Sequence, residues 1–264
     1  MEIAGYIASL LIGISLGLIG GGGSILTVPV LVYLFDIDAV LATTYSLFVV
    51  GSTSLIGSIS YFKKGLVVFK IALIFGLSSI VSVFLTRQYI LPAIPSVLFT
   101  IGNFVLTKSA LLMLLFAVLM LFASISMIKK SKEVSFDKTK SVGNIGWLII
   151  EGILIGVLTG LVGAGGGFLI IPTLVSFLKL PIKHAIGTSL VIISANSLSG
   201  FAFSLHDTVM QWPLILIVTT IAIIGILIGS YLSSFIDSKK LKPAFGWFVL
   251  LMGIYILIRE ILIK

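Results

Sequence analysis

Two glycine-rich runs contain the residues whose types and spacing could do chemistry. Gly20–Ser24 and Gly163–Gly167 each interrupt an apolar segment, and a short apolar stretch follows each run. Consecutive glycines disfavour a helix, so each run predicts a break, with the first N–H groups of the next helix pointing back at it. Helix N-termini of this kind bind anions. The candidate anion-binding residues are therefore Gly20, Gly21, Gly22, Gly23, Ser24, Gly163, Ala164, Gly165, Gly166 and Gly167.

Polar side chains follow each glycine run on the next apolar segment. Their hydroxyl and amide groups could donate hydrogen bonds to an anion, and Asn196 is the strongest single candidate. Ser46 and Thr53 are seven residues apart, as are Ser189 and Asn196, which places each pair on one helical face. Hydrogen bonding between packed membrane helices explains any one serine equally well. The candidates are Thr44, Ser46, Thr53, Thr188, Ser189 and Asn196.

Ionisable residues inside apolar runs are candidates for function by default. Glu151 could carry a coupling proton, or it could lie at the interface or pair with lysines. Lys70 and Arg87 are expected to anchor helix ends at the membrane interface. The sequence has no cysteine, no cluster with metal-ligand spacing, and no nucleophile or P-loop motif. We therefore expect no metal, no cofactor and no enzymatic activity.

Two further sets of glycines have the spacing of small residues at close contacts between membrane helices. They are Gly13, Gly17 and Gly20, and Gly152, Gly156 and Gly160. For these glycines we expect a role in helix packing.

The composition of the 264-residue chain indicates which kind of protein holds these candidate residues. Hydrophobic residues make up 59% of the chain and charged residues 10%, whereas soluble domains carry roughly 25% charged residues. The net charge of +8 lies in short clusters between long apolar runs, as in membrane loops. These numbers exclude a soluble enzyme and a nucleic-acid partner, and they predict a membrane protein embedded in the lipid bilayer. Met1–Gly20 lacks the features of a signal peptide, so we expect a retained first helix.

The chain divides into ten apolar runs. Two of them, Ile25–Phe35 and Phe168–Leu178, have only 11 residues, too few to cross a bilayer about 30 Å thick. The others are Ile3–Gly20, Ala39–Phe62, Leu66–Ile90, Lys108–Ile128, Ile145–Gly163, Ile182–Leu205, Val209–Ile236 and Pro243–Lys264. The sequence predicts an all-α polytopic membrane protein.

An internal repeat relates the two glycine runs. A shift of 143 residues, without gaps, makes 16 of the 45 positions from Gly13 to Gly57 identical to the second copy, glycines and a proline included. We therefore predict an N-terminal half (residues 1–130), a Lys-rich linker (131–142) and a C-terminal half (143–264) within one membrane domain.

The basic residues favour inverted rather than parallel halves. Parallel halves, with four crossings each, would divide the 17 Lys and Arg residues 10 against 7 between the two sides. Inverted halves would each have a glycine-broken, re-entrant helix pair and three spanning helices, and they divide the residues 13 against 4. Cytoplasmic loops are enriched in Lys and Arg. We therefore prefer inverted repeats, with the Lys-rich linker cytoplasmic and both termini outside.

The paired motifs resemble the twin signatures of the TauE/SafE family of membrane permeases. They read GLIGGGGSILTVPVLV (Gly17–Val32) and GLVGAGGGFLIIPTLV (Gly160–Val175), followed by ATTYSL and AIGTSL. The resemblance covers essentially the whole chain. It implies a plasma-membrane transporter of sulfur-containing or organic anions, such as sulfite, thiosulfate, sulfonates or sulfoacetate, with Pro29 and Pro172 framing the site.

We therefore expect a secondary transporter that moves a small anion by alternating access around a site at the membrane midplane. Proton coupling and assembly into a homo-oligomer are left open. An anion channel is the nearest alternative, and an intramembrane enzyme or a membrane scaffold is less favoured.

Overall fold

A computed structural model describes residues 2–101, 104–128, 145–176, 178–205, 210–233 and 238–263. Seven helices in these ranges are long and apolar enough to cross a membrane. The protein is an all-α polytopic membrane protein, which confirms the fold class predicted from composition. The Lys-rich linker predicted at residues 131–142 lies outside the described residues.

The helices are α1 (Glu2–Ile19), α2 (Thr27–Tyr33), α3 (Ala39–Lys63), α4 (Phe69–Leu85), α5 (Leu91–Ala93), α6 (Lys108–Ile128), α7 (Ile145–Val162), α8 (Gly167–Ser176), α9 (Ile182–Ser204), α10 (Trp212–Leu232) and α11 (Ser238–Ile258). A 3-10 segment, Gly21–Leu26, precedes α2, and π-helical segments follow α4 (Thr86–Ile90) and α11 (Arg259–Ile263). An antiparallel hairpin of β1 (Val97–Ile101) and β2 (Phe104–Thr107) precedes α6.

The outer surface of the helix bundle is apolar. Large side chains such as Phe62, Phe122 and Leu251 are 63%, 65% and 64% exposed. A soluble monomer rarely presents so many apolar side chains to water, whereas lipid tails accommodate them at no cost. The polar residues of the glycine runs and their neighbours lie inside the bundle.

The sequence repeat extends to the helix boundaries. Three helices of the first half begin 143 residues before their counterparts in the second half. The pairs of first residues are Glu2 and Ile145, Ala39 and Ile182, and Phe69 and Trp212. Thus α1, α3 and α4 correspond to α7, α9 and α10.

The first helix of one half packs on the fourth helix of the other. A Cβ on Gly13 would overlap the carbonyl of Ala222, and one on Gly17 would lie 2.6 Å from the carbonyl oxygen of Ile226. Only glycine allows this close approach of α1 and α10. Because both residue numbers rise together along the contact, the two helices run in the same direction.

The counterpart contact, between α7 and α4, is built in the same way. Gly152 lies against Ser78, and Gly160 lies against Thr86, so these helices are also parallel to each other. Gly13, Gly17, Gly152, Gly156 and Gly160 therefore serve helix packing, as the sequence predicts, whereas Gly20 has a φ of 78° and does not take part in these contacts. These reciprocal contacts form part of the interface between the two halves.

The corresponding helices α3 and α9 contact each other with opposite directions. Gly51 lies against Leu198, whereas Gly187 lies against Tyr61, so residue numbers rise along one helix as they fall along the other. The two equivalent helices at the centre of the molecule are therefore antiparallel.

The chain after the first glycine run returns to the level at which α1 begins. The Phe35 ring lies against Gly5 and 5.3 Å from the ring of Tyr6. The six residues of 3-10 helix and the seven of α2 together span about 22 Å along the helix axis. This length matches that of α1 from Gly5 to Ile19, which is about 21 Å. The greater rise of the 3-10 segment explains how so short a leg covers the length of α1.

The segment after the second glycine run ends with the same turn geometry as the first. Lys179 has the same left-handed φ of 55° as Asp36, its counterpart at the end of the first return. Leu148, near the start of α7, shares a buried cluster with Leu174 and Leu180. The segment that contains α8 therefore ends in a turn equivalent to the one that follows α2.

Candidate functional site

The two glycine runs meet at the interface between the halves. A Cβ on Gly21 would overlap the backbone of Gly167, and one on Gly167 would overlap the backbone of Gly21. All residues of both runs that precede α2 and α8 are buried. The sequence-predicted anion-binding residues of the two halves thus form one continuous stretch of buried backbone.

The first glycine of each run ends the preceding helix. Gly20 and Gly163 have φ of 78° and 74°, the left-handed region that favours glycine. Their N–H groups donate to the carbonyls of Leu16 and Thr159, both at 2.8 Å. The two breaks predicted from sequence therefore begin with the same local geometry.

Beyond this point the two runs differ. In the first run a 3-10 helix begins at Gly21, and the Ser24 hydroxyl donates to the Gly21 carbonyl at 2.7 Å. In the second run Gly165 and Gly166 also have left-handed φ values, 68° and 69°, before α8 begins. A short apolar helix follows each run, as the sequence predicts, but in the first half its first six residues are 3-10 rather than α-helical.

Each glycine run contacts the early part of the long central helix of the other half. Gly20 approaches the side chain of Ile186 in α9, and Gly163 approaches the backbone of Thr43 in α3. Ile186 and Thr43 occupy corresponding positions in the repeat. A change at either turn would therefore act on both halves.

Gly165 lies between the two central helices. A Cβ on Gly165 would lie 2.8 Å from the Ser197 hydroxyl of α9, 2.8 Å from Val50 of α3 and 2.9 Å from Ile193. The Ser197 hydroxyl has no hydrogen-bond partner among the described residues. Ser197 was not among the predicted site residues, although it is one residue from Asn196.

Asn196 faces α4 rather than the glycine turns. Its Nδ2 donates to the Ser79 hydroxyl at 2.6 Å, and its Oδ1 has no partner among the described residues. Asn196 is 0% exposed. The amide that sequence analysis favoured as a donor to an anion is therefore engaged in a contact between helices.

Thr188 has a structural contact that sequence analysis did not foresee. Its Oγ1 accepts a hydrogen bond from the backbone N–H of Val68, just before α4, at 3.0 Å. Tyr45 is the counterpart of Thr188 in the first half, and its hydroxyl accepts from the N–H of Gln211, just before α10, at 2.7 Å. Each half thus satisfies an orphan N–H at the start of a helix in the other half.

The remaining predicted hydroxyls are buried. Thr53 and Ser189 donate to backbone carbonyls of their own helices, at 2.5 and 2.9 Å. The Ser46 hydroxyl has no partner in the described part of the chain. Thr44 accepts a hydrogen bond from Arg87.

Glu151 is buried in α7, with 8% of its surface exposed. Its Oε1 accepts from Trp147 Nε1 at 2.8 Å, and its Oε2 has no partner among the described residues. No lysine of the described ranges forms an ion pair with it. The structure does not place Glu151 in contact with either glycine turn.

Arg87 is the residue that sequence reasoning misplaced. Its side chain is 5% exposed, so it lies inside the bundle rather than at the interface. Nη2 donates to the Thr43 hydroxyl and Nη1 to the Thr44 hydroxyl, both at 3.1 Å. Thr43 is the residue against which Gly163 packs. The sequence feature that could have indicated this role is the presence of an arginine within an apolar run, because such a residue is a candidate for function by default.

Metal binding finds no support in the described ranges, where no group of three or more His, Asp or Glu residues is arranged to hold an ion. The polar groups near the glycine runs are hydroxyls, amides, backbone and one guanidinium. All of these except the carbonyls can donate hydrogen bonds to an anion. The polar groups near the turns are therefore mainly hydrogen-bond donors.

Comparisons with known proteins agree with the motifs. The family model described as sulfite exporter TauE/SafE matches residues 6–256. A probable membrane transporter protein of Xylella fastidiosa is 30% identical over 265 residues, covering 95% of this chain and 92% of that protein. The probable membrane transporter protein YdhB of Bacillus subtilis is 28% identical, covering 89% and 91%. No solved structure significantly matches the chain.

Proposed function

The chain belongs to the sulfite exporter TauE/SafE family, and from this premise we propose that it moves a small sulfur-containing anion by alternating access. As a member of this family it is a multi-pass membrane transporter. The expected substrates are sulfite, thiosulfate, a sulfonate or sulfoacetate. The proposal concerns where the anion binds and how the protein exposes it to each side.

One observation carries the proposal: the glycine breaks of the two halves contact each other at Gly21 and Gly167. Non-helical backbone at membrane depth leaves polar groups that cost several kcal/mol each unless protein or a polar ligand satisfies them. Paired broken helices at the interface of two repeats mark the substrate site in many secondary transporters. We place the anion site at these turns.

Inverted repeats supply the required symmetry. The antiparallel contact of α3 with α9, and the return of the chain to the start of α1, both support an odd number of crossings per half. Two halves of opposite orientation exchange roles when the site opens to the other side. We therefore propose that the reciprocal contacts of α1 with α10 and α4 with α7 are the surfaces that move.

Glu151 is the residue we propose for proton coupling. Its side chain is buried, and Oε2 has no hydrogen-bond partner among the described residues. Ionisable side chains inside membrane transporters commonly serve as proton relays. Uptake and release of a proton at Glu151 could therefore accompany the conformational change.

The charge distribution supports a plasma-membrane orientation with the Lys-rich linker in the cytoplasm. Inverted halves put 13 of 17 basic residues on that side. Fusion of a reporter to the linker tests this assignment, since an outward linker would contradict it.

Flux measurements in proteoliposomes that contain only this chain test the function. We expect sulfite uptake to saturate and to be accelerated by sulfite on the opposite side, because one site alternates between the two sides. Flux that rises linearly and shows no counterflow would indicate a channel. Absence of flux for sulfite, thiosulfate and methanesulfonate would contradict anion transport and leave an enzyme or scaffold role.

A further inference from the structure

Arg87 is a buried positive charge beside the second glycine turn. It lies in the π-helical segment Thr86–Ile90, which interrupts the helix that begins at Phe69. Such segments occur frequently at functional sites. Thr43 contacts both groups: its backbone lies against Gly163, and its hydroxyl accepts a hydrogen bond from Arg87 Nη2. Thr43 is therefore the one residue that separates the guanidinium of Arg87 from the second glycine turn.

The surroundings of Arg87 leave its charge unbalanced. No carboxylate among the described residues forms an ion pair with it, and its two recorded partners are the neutral hydroxyls of Thr43 and Thr44. Its Nε has no hydrogen-bond partner in the described part of the chain. Burial of an unpaired charge costs several kcal/mol, so proteins pair such charges or use them.

The two threonines hold the guanidinium in place. The Thr43 hydroxyl donates to the carbonyl of Val40 at 2.7 Å, so its oxygen accepts from Arg87. Two of the five N–H donors of the guanidinium are used in this way. The Nε–H and the remaining Nη–H groups are left to bind a ligand.

We propose that Arg87 binds the transported anion and that the ligand is an oxyanion presenting two oxygens on one atom. This inference rests on the proposed function and identifies the charge within that site. The Nε–Nη edge of a guanidinium offers two parallel donors, which match two oxygens of a sulfite, sulfonate or carboxylate group. A spherical halide offers a single atom to both donors and cannot align with two parallel N–H bonds, so it is disfavoured.

The same geometry explains an imbalance between the halves. The position equivalent to Arg87 in the second half is Ser230, so the repeat supplies only one guanidinium. A single positive charge at the interface of the halves can serve both the inward-open and the outward-open state. The anion then neutralises the buried charge while the protein changes conformation.

The test compares Arg87→Gln and Arg87→Lys with Lys70→Gln in purified protein. Lys70 is exposed on the same helix, so Lys70→Gln removes one positive charge without altering the buried contacts. Thermal unfolding is followed with increasing sulfite, and chloride serves as the comparison anion. A ligand that binds only the folded protein stabilises it by RT ln(1 + c/Kd) at a free ligand concentration c, so the rise in unfolding temperature at a given sulfite concentration falls when Kd increases. Sulfite flux in proteoliposomes is measured in parallel.

We expect Arg87→Gln to raise the half-saturating sulfite concentration at least about tenfold, as loss of a charge-assisted hydrogen bond does. Arg87→Lys keeps the charge but loses the planar fork, so a smaller loss is expected. Without sulfite, Arg87→Gln should unfold at the same or a higher temperature than the natural protein, because an unpaired buried charge has been removed. Lys70→Gln should match the natural protein, and chloride should stabilise none of them.

Each contrary outcome has a distinct meaning. Absence of sulfite flux and of stabilisation in the natural protein would overturn the proposed function and this inference together. Normal flux with unchanged half-saturation in Arg87→Gln would overturn the role of Arg87 alone. A fall in the unfolding temperature of both Arg87 variants without sulfite would identify a structural arginine and would also overturn it, as would equal stabilisation by chloride and sulfite.

Discussion

Substitution of alanine for Gly22 and for Gly165 should have unequal effects, although these glycines occupy the same position in the two repeats. Gly165 has a φ of 68°, whereas Gly22 is not among the residues with positive φ. A Cβ on Gly165 would lie 2.8 to 2.9 Å from three neighbours. On Gly22 the three nearest atoms are 3.2 to 3.5 Å away and belong to side chains.

The magnitudes follow from these two environments. A left-handed alanine costs about 1–2 kcal/mol, and overpacking of a close-packed site adds about 1–3 kcal/mol. Gly165→Ala should therefore destabilise the protein by about 2–5 kcal/mol. At Gly22 a small adjustment of Ile19 and Met127 is offset by the gain of about 0.4–1 kcal/mol from restricting the unfolded chain. Gly22→Ala should therefore lie within about 1 kcal/mol of the natural protein.

Equilibrium unfolding of the purified protein in mixed micelles measures both variants, and sulfite flux measures function. We expect Gly165→Ala to lose flux and stability, and Gly22→Ala to retain stability. Larger residues at Gly22 would reach further, toward Met127 and Phe245. Equal destabilisation by the two alanines would refute the claim that the two turns differ in backbone conformation.

Four further substitutions test hydrogen bonds between helices and the proposed proton carrier. Tyr45→Phe and Thr188→Val should each lower the free energy of unfolding by about 1 kcal/mol, because each removes one acceptor for a backbone N–H in the other half. The two losses should add in the double variant, and a non-additive loss would contradict two independent hydrogen bonds. Asn196→Ala should cost about 1–3 kcal/mol, since the buried Ser79 hydroxyl loses its donor, and an unchanged unfolding midpoint would argue against this hydrogen bond. Glu151→Gln should abolish the response of sulfite flux to a pH gradient without removing counterflow, and a retained response would exclude Glu151 as the proton carrier.

The close packing of α1 and α7 on their neighbours follows from local sequence. The spacing of Gly13 and Gly17, and of Gly152 and Gly160, specifies small faces that any neighbouring helix could approach closely. The sequence repeat likewise predicts that both halves share helix starts, because the same residues end and begin the same helices. These features depend on residues within one or two helical turns, so they can be predicted from the sequence.

The residues of the candidate site can be predicted from the sequence only in part. Glycine breaks at Gly20 and Gly163 were predictable, because consecutive glycines disfavour a helix irrespective of context. The partners of Asn196, Thr188 and Arg87 were not, because each lies more than 40 residues away along the chain and is brought close by packing between helices. A polar residue inside an apolar run indicates that a partner exists without indicating which one.

The sequence by itself determined the membrane class, the repeat and the two glycine breaks, since hydropathy, residue spacing and backbone preference are local properties. Only the tertiary structure decided that the two breaks touch, that α3 and α9 run antiparallel, and that Arg87 is buried beside Gly163 without a carboxylate among the described residues. Burial and charge pairing arise from all the helices that surround a side chain. A charge that hydropathy assigns to the membrane surface can therefore lie inside the protein, where it can bind an anion.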